Sequence, residues 1–297
     1  MIYKLFAPCK AYLWGGTKLK EKYGKKSDAD VCAESWELSF HKDGLTMLAN
    51  GKTLAETVTD ADLGKNVQGF AFFPTLNKFI DAKDNLSVQV HPSDEYALKN
   101  ENSLGKTEMW YVVEADEGAG LYLGFNRDVT KAEFESAIAE NRLTELLNFY
   151  PVKAGDCYFI PAGTIHAIGK GCLIYEIQQN SNITYRVYDY GRVDKNGNQR
   201  ELHVDKALQV TCLQKFVPQT FENGLLGKSA YFTVDKVQGA GEFTTDGSSF
   251  VCLTCVQGKG EVDGVQMQTG DSVFITATHG RYAINGEMQC IRTQITN

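Results

Sequence analysis

Three short segments carry side chains able to hold a metal ion. Gln89 and His91 stand two apart in LSVQVHP, Lys106 and Glu108 stand two apart in GKTEMWYVV, and His166 follows a Pro-Ala-Gly turn in FIPAGTIHAI. Gln89, His91, Glu108 and His166 form a mixed nitrogen and oxygen set. Such a set suits Zn, Mn, Fe or Ni, and ligand type alone does not choose among them. The plainer reading of each residue is structural: a hydrogen-bonded histidine in a β-protein, or a strand glutamate paired with Lys106.

The elements that must position these residues are strands. In LSVQVHP, Leu86, Val88 and Val90 alternate with Ser87, Gln89 and His91, which predicts a strand with two unlike faces. Alternation likewise puts Lys106, Glu108 and Trp110 on one face and Met109 and Tyr111 on the other. Further strands are expected in GDCYFIPAG (155–163), CLIYEIQQ (172–179), ITYRVYDY (183–190), FVCLTCVQG (250–258) and GDSVFITAT (270–278). Many short strands with turn residues between them predict a mainly β chain, a sandwich or barrel. One long helix is expected in DVTKAEFESAIAENRLTELLNFYPV, with Thr130 and Glu133 as a capping box, Phe134, Ala137 and Ile138 on one face, and Pro151 beyond the end. A shorter helix is expected over 93–100.

GDCYFIPA at 155–162 recurs as GDSVFITA at 270–277, an offset of 270 − 155 = 115 residues. A repeat at that distance predicts two successive barrels of similar design. The boundary is placed in LQKFVPQTFENG, giving a first unit at 1–215 and a second at 216–297. His166 maps to 166 + 115 = 281, which is Arg281, so the second barrel lacks that ligand.

The 297 residues carry 30 Lys and Arg against 37 Asp and Glu, a net charge of −7, with no basic run. This excludes nucleic acid as an expected partner but allows a small anion held by a few arginines. No apolar stretch reads as a secretory signal or a membrane span. The eight scattered cysteines are read as reduced thiols of a cytoplasmic protein, and Cys252 and Cys255 as core thiols rather than a zinc knuckle. His41 and His203 are read as structural or surface residues. Monomer and homodimer are both left open.

GDCYFIPAGTIHAI resembles the second cupin motif, with Gly155, Asp156, Pro161, Gly163 and His166 in place. The first cupin motif usually offers His-x-His and then a Glu; here it reads Gln89-x-His91, with Glu108 after an insertion. PTLNKFIDAKDNLSVQVHP (74–92), GKTEMWYVV (105–113), PAGTIHAI (161–168), NITYRVYDYGR (182–192), LWGGTKL (13–19) and ESWELSFH (34–41) all resemble the short bacterial form of type I mannose-6-phosphate isomerases. The resemblance implies two tandem cupin jelly-roll barrels, with a few helices around the first and no metal in the second. It implies one zinc ion on Gln89, His91, Glu108 and His166, and interconversion of mannose 6-phosphate and fructose 6-phosphate. It matches Ser87, Lys106, Glu176, Arg186 and Arg192 to positions near the sugar phosphate.

That reaction moves a proton between C2 and C1 and another between O1 and O2, through an enediolate. Lys106 and Glu176 are the acid–base candidates. Glu176 shares its strand face with Cys172, Ile174 and Gln178, which predicts a raised carboxyl pKa; the alternative is a salt bridge to Arg186. Arg186 is expected to hold the substrate or stabilise the enediolate, with Ser87 and Arg192 at the phosphate and Arg200 at the surface. Trp14 is expected to wall the pocket or to be core. The rival readings are a non-catalytic sugar-phosphate-binding cupin and a metal-dependent cupin dioxygenase.

Overall fold

Strand alternation and apolar content sort the chain into three antiparallel sheets in a computed structural model, which describes residues 1–194 and 196–296. Asn297, the last residue of the expected second unit, lies outside the described residues. The first barrel is a pair of facing sheets. Its five-stranded sheet runs in the order Tyr185–Tyr188, Val88–Val90, His166–Ile168, Gly120–Phe125, Leu147–Pro151. Its six-stranded sheet runs Cys9–Lys10, Glu34–Leu38, Thr75–Asp81, Cys172–Gln179, Glu108–Ala115, Cys157–Ile160. Neighbours in these lists are distant in sequence, as crossing jelly-roll connections require.

The core between the sheets joins Ile80, Trp110, Val112 and Ile174 to Leu121, Leu123 and Ile168. The outer face of the five-stranded sheet is covered by helices: Val88, Val90, Ala167 and Tyr185 pack with Phe134 and Ala207. The outer face of the six-stranded sheet meets the second barrel, where Phe79, Met109, Tyr111 and Tyr175 pack with Phe232, Val234, Val256 and Ile291. Thr75–Asp81 and Cys172–Gln179 are therefore buried along their whole length, on both faces. That burial has a consequence for charge, because Lys78 and Glu176 lie in these strands.

The second barrel is an eight-stranded sheet wrapped around Val237, Val251, Leu253, Val273, Ile275, Tyr282 and Ile284. Its strand Arg281–Gln294 begins at the residue that corresponds to His166, itself the first residue of His166–Ile168. The two repeat copies share a backbone device: Gly155 and Gly270 both have left-handed φ, +93° and +94°. One strand crosses the expected division at 215 and 216. Ile2–Leu5 pairs with Ser272–Ile275 and so belongs to the second barrel's sheet.

The shorter helix forms at Asp94–Asn100. The long helix is shorter than its pattern predicts. Thr130 and Glu133 do form a capping box, but the helix ends at Ala139. Asn141 takes a left-handed φ of +57°, and Leu147–Pro151 pairs as a strand with Gly120–Phe125. Sheet pairing has overridden local helical propensity there. No helix among the described residues is long and apolar enough to cross a membrane.

Candidate metal centre and substrate cleft

Both sheets of the first barrel contribute to one buried cluster. His91 follows the strand Val88–Val90, His166 opens the next strand, and Glu108 opens a strand of the opposite sheet. Pairing places His166 directly opposite Gln89. The Pro-Ala-Gly turn is clamped to the same place: the Gly163 N–H donates to the His91 carbonyl at 2.8 Å. Gly163 has φ +86°, a conformation that suits glycine.

The two imidazoles are oriented alike. His91 Nδ1 lies 2.7 Å from the Ile183 carbonyl and His166 Nδ1 lies 2.8 Å from the Thr164 carbonyl. A carbonyl can only accept, so each Nδ1 carries the proton and each Nε2 turns its lone pair inward. This is the arrangement that prepares histidine for a cation. His166 Nε2 is 3.2 Å from Glu108 Oε1, and His91 Nε2 is 3.7 Å from Glu108 Oε2. Gln89 brings its amide to 3.4 Å from His166 Nε2, and a half-turn about its last torsion presents Oε1 instead. Bonds of about 2.0–2.2 Å around a four-coordinate ion imply donor separations of roughly 3.3–3.6 Å, close to those observed.

Two further observations test the fit. Both oxygens of Glu108 are buried: Oε2 has the Lys106 ammonium at 3.0 Å, while Oε1 has only the unprotonated His166 Nε2 at 3.2 Å and so no donor, an expensive state unless a cation claims it. The charge count points the same way. Three buried acids, Glu34, Glu108 and Glu176, stand with two buried ammonium groups, Lys78 and Lys106, so among these five the acids outnumber the lysines by one. The residues fit a divalent cation, and His91, Glu108 and His166 are the only such cluster among the described residues.

Burial holds both histidines in the neutral form. It depresses His91 well below its usual range, with Lys106 and His166 adding to the effect, and lowers His166 to about 4. Burial raises Glu108, reinforced by the nearby Glu176 charge. Glu176 departs from expectation. Burial alone would raise it, but Lys78 at 3.1 Å, Lys106 at 3.8 Å and the Trp110 indole N–H at 2.7 Å together hold it well below the usual carboxylate range. Its salt-bridge partner is Lys78 rather than Arg186.

Lys78 is a further charged residue of the cluster, and its position in the sequence carries a signal. It stands between Leu76 and Ile80 on one face of an apolar strand, where a lysine needs a partner. Burial alone would lower it; Glu176 and Glu34 offset that and raise it. Lys106 precedes its strand, which begins at Glu108, yet its ammonium lies 3.0 Å from Glu108 Oε2 and 3.1 Å from His91 Nε2.

Above this cluster opens a cleft of about 310 Å³, at the small end of the range for ligand sites. Trp14, Ser87, Gln89, Lys106, Glu176 and Arg186 line it, with Tyr12, Lys78, Asn182, Thr184 and Arg200. The Arg186 Nε donates to Ser87 Oγ at 3.3 Å, and its strand pairs Arg186 with Gln89. Arg192 does not line the cleft, and Arg200 does. The exchange follows from Asp189, whose carboxylate gathers both arginines. His203 is tied to the Arg186 backbone: its N–H donates to the Arg186 carbonyl at 2.7 Å, and its Nδ1 accepts from the Arg186 N–H at 3.3 Å. Cys252 and Cys255 are buried, and all eight cysteines are free thiols.

Comparison with known proteins gives the same frame. Residues 2–118 match the catalytic domain of type I phosphomannose isomerase, and residues 225–295 match the cupin domain of mannose-6-phosphate isomerase. A mannose-6-phosphate isomerase of Streptococcus mutans is 35% identical over 94% of this chain and 93% of its own. One from Bacillus subtilis is 34% identical over 95% of each chain. A crystal structure of mannose 6-phosphate isomerase from Bacillus subtilis superimposes with a TM-score of 0.88 at 33% identity, covering 99% of both chains. Identity at this level along nearly the whole length, on a shared fold, means that this chain belongs to the mannose-6-phosphate isomerase family of type I.

Proposed function

We propose that the chain interconverts mannose 6-phosphate and fructose 6-phosphate, with a zinc ion held by Gln89, His91, Glu108 and His166. The observation that carries this reading is the pair of inward-facing Nε2 atoms around a buried Glu108, whose Oε1 has no donor, at the floor of a cleft that also holds arginines. Bound there, the metal supplies Lewis-acid stabilisation for oxygen charge that develops at O1 and O2. Lys106, at the junction of the cluster and the cleft, is placed to give a proton to O1 as it becomes a hydroxyl and to regain one from the O2 hydroxyl as that becomes the carbonyl, which returns it to the ammonium form. Glu176 stays ionised and aims the ammonium groups of Lys78 and Lys106. Its depressed pKa suits an orienting anion better than a base poised near neutrality. Arg186 holds the substrate against Ser87, and Trp14 walls the cleft against water.

The same reading takes 1–215 as the catalytic unit and 216–297 as a metal-free barrel. It takes the cytoplasm as the site of action, on the eight free thiols. A coupled assay with mannose 6-phosphate tests the function. Fructose 6-phosphate should form with metal-loaded protein and cease after chelation. No product from metal-loaded protein, or tightly bound iron with oxygen consumption instead, would defeat the proposal.

A further inference from the structure

The strand that carries Arg186 lies at a sheet edge. Tyr185–Tyr188 stands first in the five-stranded sheet, with Val88–Val90 on one side and no strand beyond it among the described residues. Its pairing is also irregular, because the register shifts between Arg186 and Tyr188. A half-buried edge residue still needs partners for its N–H and C=O. Arg186 has both on one residue, His203. The Arg186 carbonyl accepts from the His203 N–H at 2.7 Å, and the Arg186 N–H donates to His203 Nδ1 at 3.3 Å. The ring nitrogen thus takes the part that a carbonyl oxygen of a further strand would play. The same segment holds the side chain: Arg186 Nη1 donates to the Glu201 carbonyl at 2.9 Å, while Nε donates to Ser87 Oγ.

His203 stands at the N-cap of the helix Val204–Val210, yet its side chain makes no capping bond. The ring is committed to Arg186 instead of to its own helix. A backbone N–H can only donate, so Nδ1 is unprotonated and the ring proton sits on Nε2, 3.8 Å from Glu201 Oε2. Protonating Nδ1 would set an N–H against the Arg186 N–H and break the bond. The charged and titratable groups around the ring come from every neighbouring element. Glu201 belongs to its own segment, Arg186 and Tyr185 to the strand, and Lys206 to the helix. Glu101, at the end of Asp94–Asn100, accepts from both Tyr185 and Lys206. Burial, with Arg186 and Lys206, outweighs Glu201 and Glu101 and holds the imidazole below its ordinary 6.5.

We propose that His203 is a positioning residue: neutral, it fixes the strand edge that presents Arg186 to the cleft, and protonated, it releases that edge. The inference rests on the substrate-holding role proposed for Arg186 and adds how that arginine is held. The sign follows from the donor and acceptor roles. The acceptor is present above the pKa of the histidine and is lost as pH falls through it.

The test uses the metal-loaded full chain and the variants His203→Asn and His203→Leu. An Asn side chain can offer Oδ1 in the place of Nδ1 but does not titrate; Leu offers no acceptor. The pH profile of kcat/KM for mannose 6-phosphate is read from about pH 8 down to about pH 5.5. The metal ligands and the substrate phosphate titrate in all three proteins, so a difference between profiles belongs to residue 203. His203→Asn should keep most of the activity and lose the part of the acid limb that the histidine supplies. His203→Leu should lose about tenfold in kcat/KM at the alkaline end, through KM more than kcat. Two readouts need no turnover. Nitrogen NMR of labelled histidine should place the proton of His203 on Nε2, and the Arg186 amide should exchange faster on acidification in wild type than in His203→Asn at the same pH. Identical acid limbs and identical Arg186 exchange in wild type and His203→Asn overturn the proposal, and so does a proton on Nδ1 at the alkaline end. An inactive wild type would refute the isomerase reading, and the tautomer and the amide exchange would still decide this one.

Discussion

His91 and Gln89 occupy the same strand face but offer different donors. A neutral imidazole with its Nδ1 proton already committed is a stronger ligand than a carboxamide. Replacing His91 with Ala should therefore weaken zinc binding more than replacing Gln89 with Ala, as read by titration against a competing chelator; equal losses would mean that Gln89 is a full ligand. Glu176 makes the complementary point. Its type and place were readable, but its ionisation was set by Lys78, which arrives from a strand nearly 100 residues earlier in the chain. A carboxylate among apolar neighbours in sequence proved to be a carboxylate between two ammonium groups in space.

At the scale of elements, the turn Pro161–Thr164 does more than reverse the chain. Its Gly163 N–H holds the carbonyl of His91, its Gly163 carbonyl accepts from Cys212, and two residues on it delivers the Thr164 carbonyl and His166 itself. A Cβ at Gly163 would meet the Val210 carbonyl at 3.0 Å, in a left-handed conformation that disfavours any side chain. Gly163→Ala should therefore destabilise the protein by about 1–3 kcal/mol and weaken zinc binding, because strain falls on the turn that places a ligand. Denaturant unfolding and metal titration read the two effects. Full stability with full zinc affinity would show that the turn is not the positioning device described here.

At the scale of the whole molecule, the two barrels are joined by apolar packing and by a buried polar chain. Lys25 lies 2.7 Å from Glu37, which is fully buried and also accepts from Ser35 and from Ser272 of the second barrel. Ser272 bonds Thr254, and Thr254 bonds Tyr175, the neighbour of Glu176. Glu37→Ala leaves the Lys25 ammonium without its carboxylate and should cost about 3 kcal/mol in denaturant unfolding. A loss under 1 kcal/mol would mean that apolar contact alone joins the barrels. Acid sensitivity follows from the histidines. Their folded pKa values are depressed, to about 4 for His166, from an ordinary 6.5. Between those values the unfolded chain binds more protons, so stability falls as pH falls through that window. The raised Glu108 acts in the opposite sense above its ordinary value, but it is one group against two. The melting temperature of chelated protein should drop from pH 6.5 toward pH 4.5; a rise would contradict the burial of both histidines in neutral form.

Alternation along LSVQVHP and GKTEMWYVV, the turn before His166 and the 115-residue repeat determined the mainly β class, the two barrels and the candidate donors Gln89, His91, Glu108 and His166, because a strand's two-residue period assigns faces locally. The helix boundary at Ala139 and the pairing of Ile2–Leu5 with the second barrel were decided by tertiary contacts, which no local pattern records. The same holds for the partners of charge. Lys78 against Glu176, and Asp189 between Arg192 and Arg200, depend on which strands and loops become neighbours. Residue types fixed what the site can bind. Burial and charge proximity in the folded chain decided which carboxyl is ionised and which arginine reaches the cleft, because both depend on distance through space rather than along the sequence.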